Sequence, residues 1–242
     1  MSDSNSSNKR ASNDSEEPTC QKKARTFSDD GAPVESEPVT ILAGESEDKF
    51  FVHAHLLELS SGFFQKALNK EWKEGQERVV RLPNVDVDVF RIYAKWLYTG
   101  RFHCLDGSTD VKLLACDELG NFLHAPDFLD AFVDVILEQT AQLGTPTFLS
   151  SSIYPRSVKD SLHRKLCRDL VVYRWGYRNF DTLRSHAIPR EFLEDVLLDM
   201  KRNFDQGVTR LSFSRFIKDK DACYYHEHTR LNTPCYKTKY GI

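Results

Sequence analysis

The sequence predicts an α+β domain followed by a helical C-terminal extension, and three observations lead there. First, two short apolar runs, Val39 to Ala43 and Lys49 to Val52, flank the polar turn GESED and read as a β-hairpin. Second, apolar residues beyond Val52 recur mainly at helical spacing, so strands come first and helices follow, without the βαβ alternation of a parallel sheet. Third, residues 140–152 (TAQLGTPTFLSSS) are small and polar and are broken by Gly144 and Pro146, which places a boundary there. The resulting division is a tail over 1–37, a domain over 38–138, a helical extension over 153–217 and an irregular C-terminal tail over 218–242.

Within the domain, His53 ends the second apolar run. Leu56, Leu59, Phe63 and Ala67 fall on one helical line, and Leu57, Phe64 and Leu68 lie beside it. Ser61 interrupts them at a position suited to an N-cap, so two short helices are expected to meet at Ser60–Ser61. After a charged loop from Asn69 to Arg78, Val79, Val80 and Leu82 form a brief strand that Pro83 stops. Asp86 then caps a helix with Val89, Phe90, Tyr93, Trp96 and Leu97 inward, and Gly100 ends it. Arg101 to Cys104 is expected to add an edge strand. Asp110 opens a helix with Val111, Leu114, Ala115, Leu119 and Phe122 inward, and Pro126 opens another with Phe128, Leu129, Phe132, Val135 and Ile136 inward.

In the extension, Val158, Leu162, Leu166, Leu170 and Tyr173 recur about once per turn, and Trp175, Tyr177 and Phe180 mark a connector. Pro189 sits at a first helical position, and from it Phe192, Leu193, Val196, Leu197, Met200 and Phe204 make the cleanest amphipathic stripe in the chain, expected to pack on the domain. Residues 205–242 carry aromatics and a net charge of +3, too small a margin for single-stranded nucleic acid, so packing is expected there.

Composition narrows the class. The chain has 242 residues, 40% hydrophobic and 12% aromatic, enough for a core. A net charge of −3 does not favour nucleic acid or membrane surfaces, and no apolar run approaches the ~20 residues of a membrane span. The N-terminus lacks the apolar segment of a secretory signal, so Cys20, Cys104, Cys116, Cys167, Cys223 and Cys235 are expected to be reduced thiols. Residues 1–37 are too polar to offset their ordering entropy and are expected to be disordered. Their two basic clusters, Lys9-Arg10 and Lys22-Lys23-Ala24-Arg25, have the spacing of a bipartite nuclear import signal; the competing reading is a solvated polyampholyte, since acidic residues surround them.

The sequence contains no phosphate-binding loop, no H-E-x-x-H and no G-x-S-x-G, so no enzymatic constellation is expected. His53 and His55 read as structural, and Asp86 and Asp88 as helix-start carboxylates that oppose the positive dipole end. One cluster stands apart. Cys223, His226, His228 and Cys235 bring four N/S ligand types into thirteen residues, as a structural zinc requires. Their spacing is not that of a standard finger, and the alternative is a pair of free thiols with two surface histidines. Zinc is the one cofactor the sequence suggests.

The stretch Val52-His53, Leu57, Ser61, Phe63-Phe64, Leu82-Pro83 and Tyr98-Thr99-Gly100 resembles, in order and spacing, the BTB/POZ domain. The longer Trp96-Leu97-Tyr98-Thr99-Gly100, and Ser161-Leu162-His163-Arg164 in the extension, look most like BTB proteins of filamentous fungi. The acidic residue that many family members carry before the first strand corresponds here to Glu37 or Pro38. The resemblance implies that His53 is a fold-determining residue. It also implies a homodimer with Val39, Ile41, Leu56 and Leu59 near the seam. Finally, Trp72-Lys73-Glu74 corresponds to the apolar–x–Glu triplet of adaptors for cullin-type ubiquitin ligases, in which the apolar residue fills a pocket on the cullin and the Glu makes a polar contact. The alternative is that Trp72 packs on its own domain and Glu74 is a solvated loop charge. The reading is therefore a protein–protein interaction module that self-associates and scaffolds partners, with a cullin among them, in the nucleus, the cytoplasm or both. The rival is a nuclear transcription-associated factor without a DNA-binding domain of its own, supported by the two basic clusters alone.

Overall fold

A computed structural model describes residues 36–103, 109–143, 149–174, 188–206, 217–218 and 220–242. The basic clusters at Lys9, Arg10, Lys22, Lys23 and Arg25, the thiols of Cys20 and Cys104, and the aromatic connector at Trp175, Tyr177 and Phe180 lie outside these residues.

Strands β1 (Pro38–Ala43), β2 (Asp48–His53) and β3 (Val79–Leu82) form a sheet of order β2-β1-β3. The β1–β2 pair is the expected antiparallel hairpin, with Ile41 opposite Phe50, and β3 joins β1 in parallel, with Ile41 opposite Val80. Val39, Ile41 and Ala43 alternate onto the core face of β1 and are wholly buried.

The short helices α1 (Ala54–Ser60) and α2 (Gly62–Ala67) meet at Ser61. Its hydroxyl accepts the Phe64 N–H at 3.2 Å and donates to the Leu123 carbonyl at 2.6 Å, so one side chain caps a helix and ties it to a later turn. After α3 (Lys73–Glu77), helix α4 (Val87–Thr99) starts at Asp86, whose carboxylate accepts the N–H groups of Asp88 and Val89 at 2.9 and 3.0 Å. It ends at Gly100 in the left-handed region, φ 65°. All five residues expected to face inward on α4 are buried.

Helices α5 (Thr109–Phe122) and α6 (Pro126–Leu143) complete the first unit. The extension contributes α7 (Leu149–Arg156), α8 (Leu162–Arg174) and α9 (Arg190–Asp205), and the C-terminal segment contributes α10 (His228–Leu231) and α11 (Tyr236–Tyr240). Arg164 is the buried pin of the extension. Its guanidinium donates to the Tyr154 carbonyl at 2.6 Å, to the Ser157 hydroxyl at 3.0 Å and to Glu191 at 2.8 Å, which joins α7, α8 and α9. Ser161 caps α8 by accepting the Arg164 N–H at 3.1 Å, which gives the Ser161-Leu162-His163-Arg164 phrase a physical role.

Several expectations are corrected. In the first helices the buried line is Leu57, Phe64 and Leu68, while Phe63 and Ala67 are half-buried and Leu59 is exposed. Arg101 to His103 form no strand. On α5 the buried apolar side chains are Leu113, Cys116 and Leu119; Leu114 and Ala115 are half-buried, Phe122 is 51% exposed, and the Val111 side chain lies outside the described set. The expected boundary at 140–152 is narrower, because α6 runs to Leu143 and α7 starts at Leu149. Val158 lies exposed before α8. On α9 only Phe192 and Val196 are buried, and Leu193, Leu197, Met200 and Phe204 stand on an exposed side. The segment 218–242, expected to be an irregular tail, packs two short helices into the core through Tyr225 and Tyr236.

Asp117 joins α5 to the extension: it accepts hydrogen bonds from Ser152 at 3.1 Å and from Asn121 at 3.2 Å. Burial pushes its carboxyl up from 3.8 to about 6, against the opposing hydrogen bond from Ser152 and the charge of Arg156. The folded state therefore binds this proton more tightly than the unfolded state. The associated stability is full below the unfolded value and is lost as pH rises through about 6. Asp117→Asn removes that titration. Between pH 5 and pH 8 the variant should gain about 1 kcal/mol on the wild type. Urea denaturation at the two pH values measures it, and a pH-independent difference refutes the assignment.

Candidate functional site

Two regions carry chemistry of interest. The first is the loop between α2 and α3. Asn69 shapes it: its side-chain carbonyl accepts the Glu71 N–H at 3.1 Å and its backbone carbonyl accepts the Trp72 N–H at 3.0 Å. Gln76 closes it by donating to the Lys70 carbonyl at 3.0 Å. Gly75 is required by close approach, since a Cβ there would sit 2.2 Å from the Asn69 carbonyl oxygen. This fixed backbone holds Trp72 with its side chain 61% exposed, and Glu74 is exposed beside it. Trp72 thus does not pack on its own domain to the extent the alternative reading requires. Both residues line an open groove of about 710 Å³ with Phe63, Ala67, Val80 and Phe122 as apolar wall and Lys66, Arg81 and His124 as polar rim. The rings of Phe63 and Phe122 lie 5.2 Å apart. Phe122 was expected to face inward; it stands in this wall instead, and no signal in the sequence places it there.

The second region is the C-terminal segment against α6. Asp127, Asp130 and Asp134 are spaced along one face of that helix, and each holds a different part of the segment. Asp127 pairs with Lys239. Asp130 accepts the backbone N–H groups of Glu227 and His228 at 2.7 and 3.2 Å, and burial pushes its carboxyl up to about 6. Asp134 accepts from the Tyr236 hydroxyl at 2.6 Å and Lys237 at 2.8 Å; burial raises its carboxyl, but the nearby His226 imidazole and the bonds from Lys237 and Tyr236 win and hold it below the ordinary range. From the other side, Glu227 accepts the Leu162 N–H at 2.9 Å and Tyr225 donates to Asp169 at 2.6 Å. Residues 225–236 are thereby held between α6 and α8.

Cys223, His226, His228 and Cys235 meet in this segment, with their ligand atoms all within 4.8 Å of one another. His226 is completely buried and His228 nearly so, which removes the reading of two surface histidines. Burial and the neighbouring Cys235 thiol push Cys223 up to about 11. His163, from the start of α8, is also buried, which lowers it to about 4 and leaves it neutral.

Other sequence candidates behave structurally. His53 Nδ1 lies 2.8 Å from the Tyr98 hydroxyl, which also accepts the His53 N–H at 3.2 Å, so this pair fixes the end of β2 against α4. Of the four expected seam positions, Val39, Ile41 and Leu56 are buried within the protomer and have no surface to share, while Leu59 is 63% exposed. The reason is burial: Val39 and Ile41 alternate onto the core face of β1, and Leu56 joins the same core cluster.

The family model for the BTB/POZ domain matches residues 37–139. Residues 37–139 are a BTB/POZ domain. No curated protein matches the chain. BTB/POZ domains are protein–protein interaction modules, generally without catalytic activity. The Trp72 loop and the three aspartates of α6 fall inside the BTB/POZ domain, and the Cys/His cluster falls outside it, docked on its last helix. No described helix is long and apolar enough to cross a membrane.

Asp130→Ala would strand the backbone donors of Glu227 and His228. Each buried donor left unpaired costs about 1–3 kcal/mol, so the chain should lose about 2–6 kcal/mol in urea denaturation. Hydrogen exchange over residues 223–236 should rise with it. Unchanged protection there would show that Asp130 does not hold the segment.

Proposed function

We propose that the BTB/POZ domain is an adaptor that self-associates and engages a cullin-type scaffold through Trp72 and Glu74. The observation that carries the reading is the presentation of Trp72: a large aromatic, mostly exposed, on a loop whose backbone is held by hydrogen bonds at Asn69, Glu71, Trp72 and Gln76. Aromatic anchors that lose little freedom on docking carry much of the energy of an interface. The neighbouring groove supplies an apolar centre and a polar rim, as interfaces do. Trp72-Lys73-Glu74 stands where adaptors of this class place an apolar residue to fill the cullin pocket and a Glu for the polar contact, although Trp is bulkier than the usual Phe or Met. No described observation favours the transcription-associated alternative, whose basic clusters lie outside the described residues.

Titration of the full chain against a purified cullin N-terminal domain tests the proposal. Trp72→Ala should weaken binding at least about 10-fold, and Glu74→Ala by a smaller factor. Neither should shift stability by more than about 0.5 kcal/mol, as both side chains are exposed. Absence of binding by the wild type ends the adaptor reading.

Self-association is centred on the exposed side of α1, where His55 and Leu59 are one turn apart. Light scattering at high micromolar concentration should give a dimer for the wild type and a monomer for Leu59→Asp. A strictly monomeric wild type refutes this part independently of the cullin result.

A further inference from the structure

We propose that Cys223, His226, His228 and Cys235 bind one structural zinc ion that fastens the C-terminal segment to the last helix of the BTB/POZ domain. The argument begins with the sulfurs. Cys223 Sγ and Cys235 Sγ lie 3.8 Å apart, and both cysteines are free. A disulfide needs ~2.05 Å. Two thiolates on a tetrahedral zinc with bonds of ~2.3 Å sit ~3.8 Å apart, the edge of that tetrahedron. Cys235 Sγ to His226 Nδ1 is 3.9 Å, near the ~3.6 Å edge expected between a zinc-bound sulfur and nitrogen.

The histidines supply the second observation. His228 Nε2 is buried with no hydrogen-bond partner, an uncompensated polar atom unless a ligand takes it. The two nitrogens of His226 face different ways. Nδ1 is directed at the sulfur of Cys235, and Nε2 lies 3.1 Å from Asp134 Oδ1, an ion-pair distance at which the N–H is nonetheless not aligned for a hydrogen bond. Nε2–H donating to a carboxylate leaves Nδ1 unprotonated and facing the centre, the arrangement by which an outer carboxylate orients a metal-binding imidazole. Asp134 is thus a positioning residue.

The donor set selects the ion. Two thiolates and two imidazoles in a tetrahedron suit zinc over magnesium or calcium, which take oxygen ligands. Four protein ligands leave no open position for a substrate, so the role is structural. The two thiolates also balance the charge of the ion beside Asp130 and Asp134. All four ligands lie within a thirteen-residue span, and the elements that hold that span, α6 and α8, belong to the BTB/POZ domain and the extension. The ion would therefore stiffen the joint between them.

The test uses the full chain, purified under reducing conditions without chelator from zinc-supplemented medium. Elemental analysis should find about one zinc per chain. Cys223→Ser and His228→Ala should each reduce this to near none, His228→Cys should retain it, and His103→Ala, at an exposed histidine away from the cluster, should leave it unchanged. Cobalt replacing zinc in the wild type should give the visible bands of a tetrahedral thiolate site, a readout that holds even if a ligand variant fails to fold. Asp134→Asn should lower zinc affinity roughly 10–100-fold in competition with a chromophoric chelator. Zinc far below one per chain overturns the proposal. So do an octahedral cobalt spectrum, a zinc content indifferent to Cys223→Ser, and a mass lower by two hydrogens that reports a Cys223–Cys235 disulfide.

Discussion

Trp96 is the side chain on which the rest of the structure depends. It is wholly buried and packs against Tyr93 from its own helix, Phe128 from α6, and Tyr236 and Tyr240 from the C-terminal segment, at ring separations of 6.0, 5.2, 6.5 and 5.6 Å. The BTB/POZ helices and the end of the chain therefore share one aromatic cluster. Truncation of such a side chain costs about 3–5 kcal/mol, a large part of a typical domain's total stability. Gly100 belongs to the same constraint. A Cβ there would meet the Tyr240 ring at 2.6 Å, so the residue that ends α4 also makes room for the segment that closes over it.

The polar half of this closure is arranged around α6. An apolar contact between the C-terminal segment and the helix would fix its depth but not its register. Asp127, Asp130 and Asp134 fix the register, because each accepts from a different residue of the segment. Two backbone N–H groups, a phenol and two lysines are matched to three carboxylates, of which Asp127 and Asp130 are buried. The BTB/POZ domain and the extension are joined in the same manner elsewhere, through Asp117 with Ser152 and Glu118 with Arg156.

What was legible in the sequence was what local chemistry decides. Asp86, the stripe from Val89 to Leu97 and Gly100 each state their part of α4 independently, and all agree. The stripe of α5 slipped by a residue, because Leu113-Leu114-Ala115-Cys116 offers two apolar faces and only the neighbours choose between them. The α9 stripe shows the converse: periodicity identifies an apolar face but not whether anything covers it, and only Phe192 and Val196 find cover. Val39 and Ile41 looked like seam residues for the same reason, as an apolar strand face reads alike whether its partner is its own helix or another chain. The spacing of Cys223, His226, His228 and Cys235 was legible. Their burial was not, since the carboxylate that accepts the Glu227 N–H and holds the segment, Asp130, comes from 97 residues earlier.

The return of Tyr240 to α4 spans 143 residues of sequence. That distance sets an order of events during synthesis. At about 5–20 residues per second, roughly 7–30 s separate the emergence of Leu97 from that of Tyr240. The hairpin, the first helices and the Trp96 cluster can assemble in that interval, but one wall of the cluster is still missing. A nascent chain thus displays an aromatic surface that the mature protein hides, and it does so for longer than any of its helices takes to form. For a holding chaperone, that unfinished wall is the feature that distinguishes this chain on the ribosome from the same chain after release.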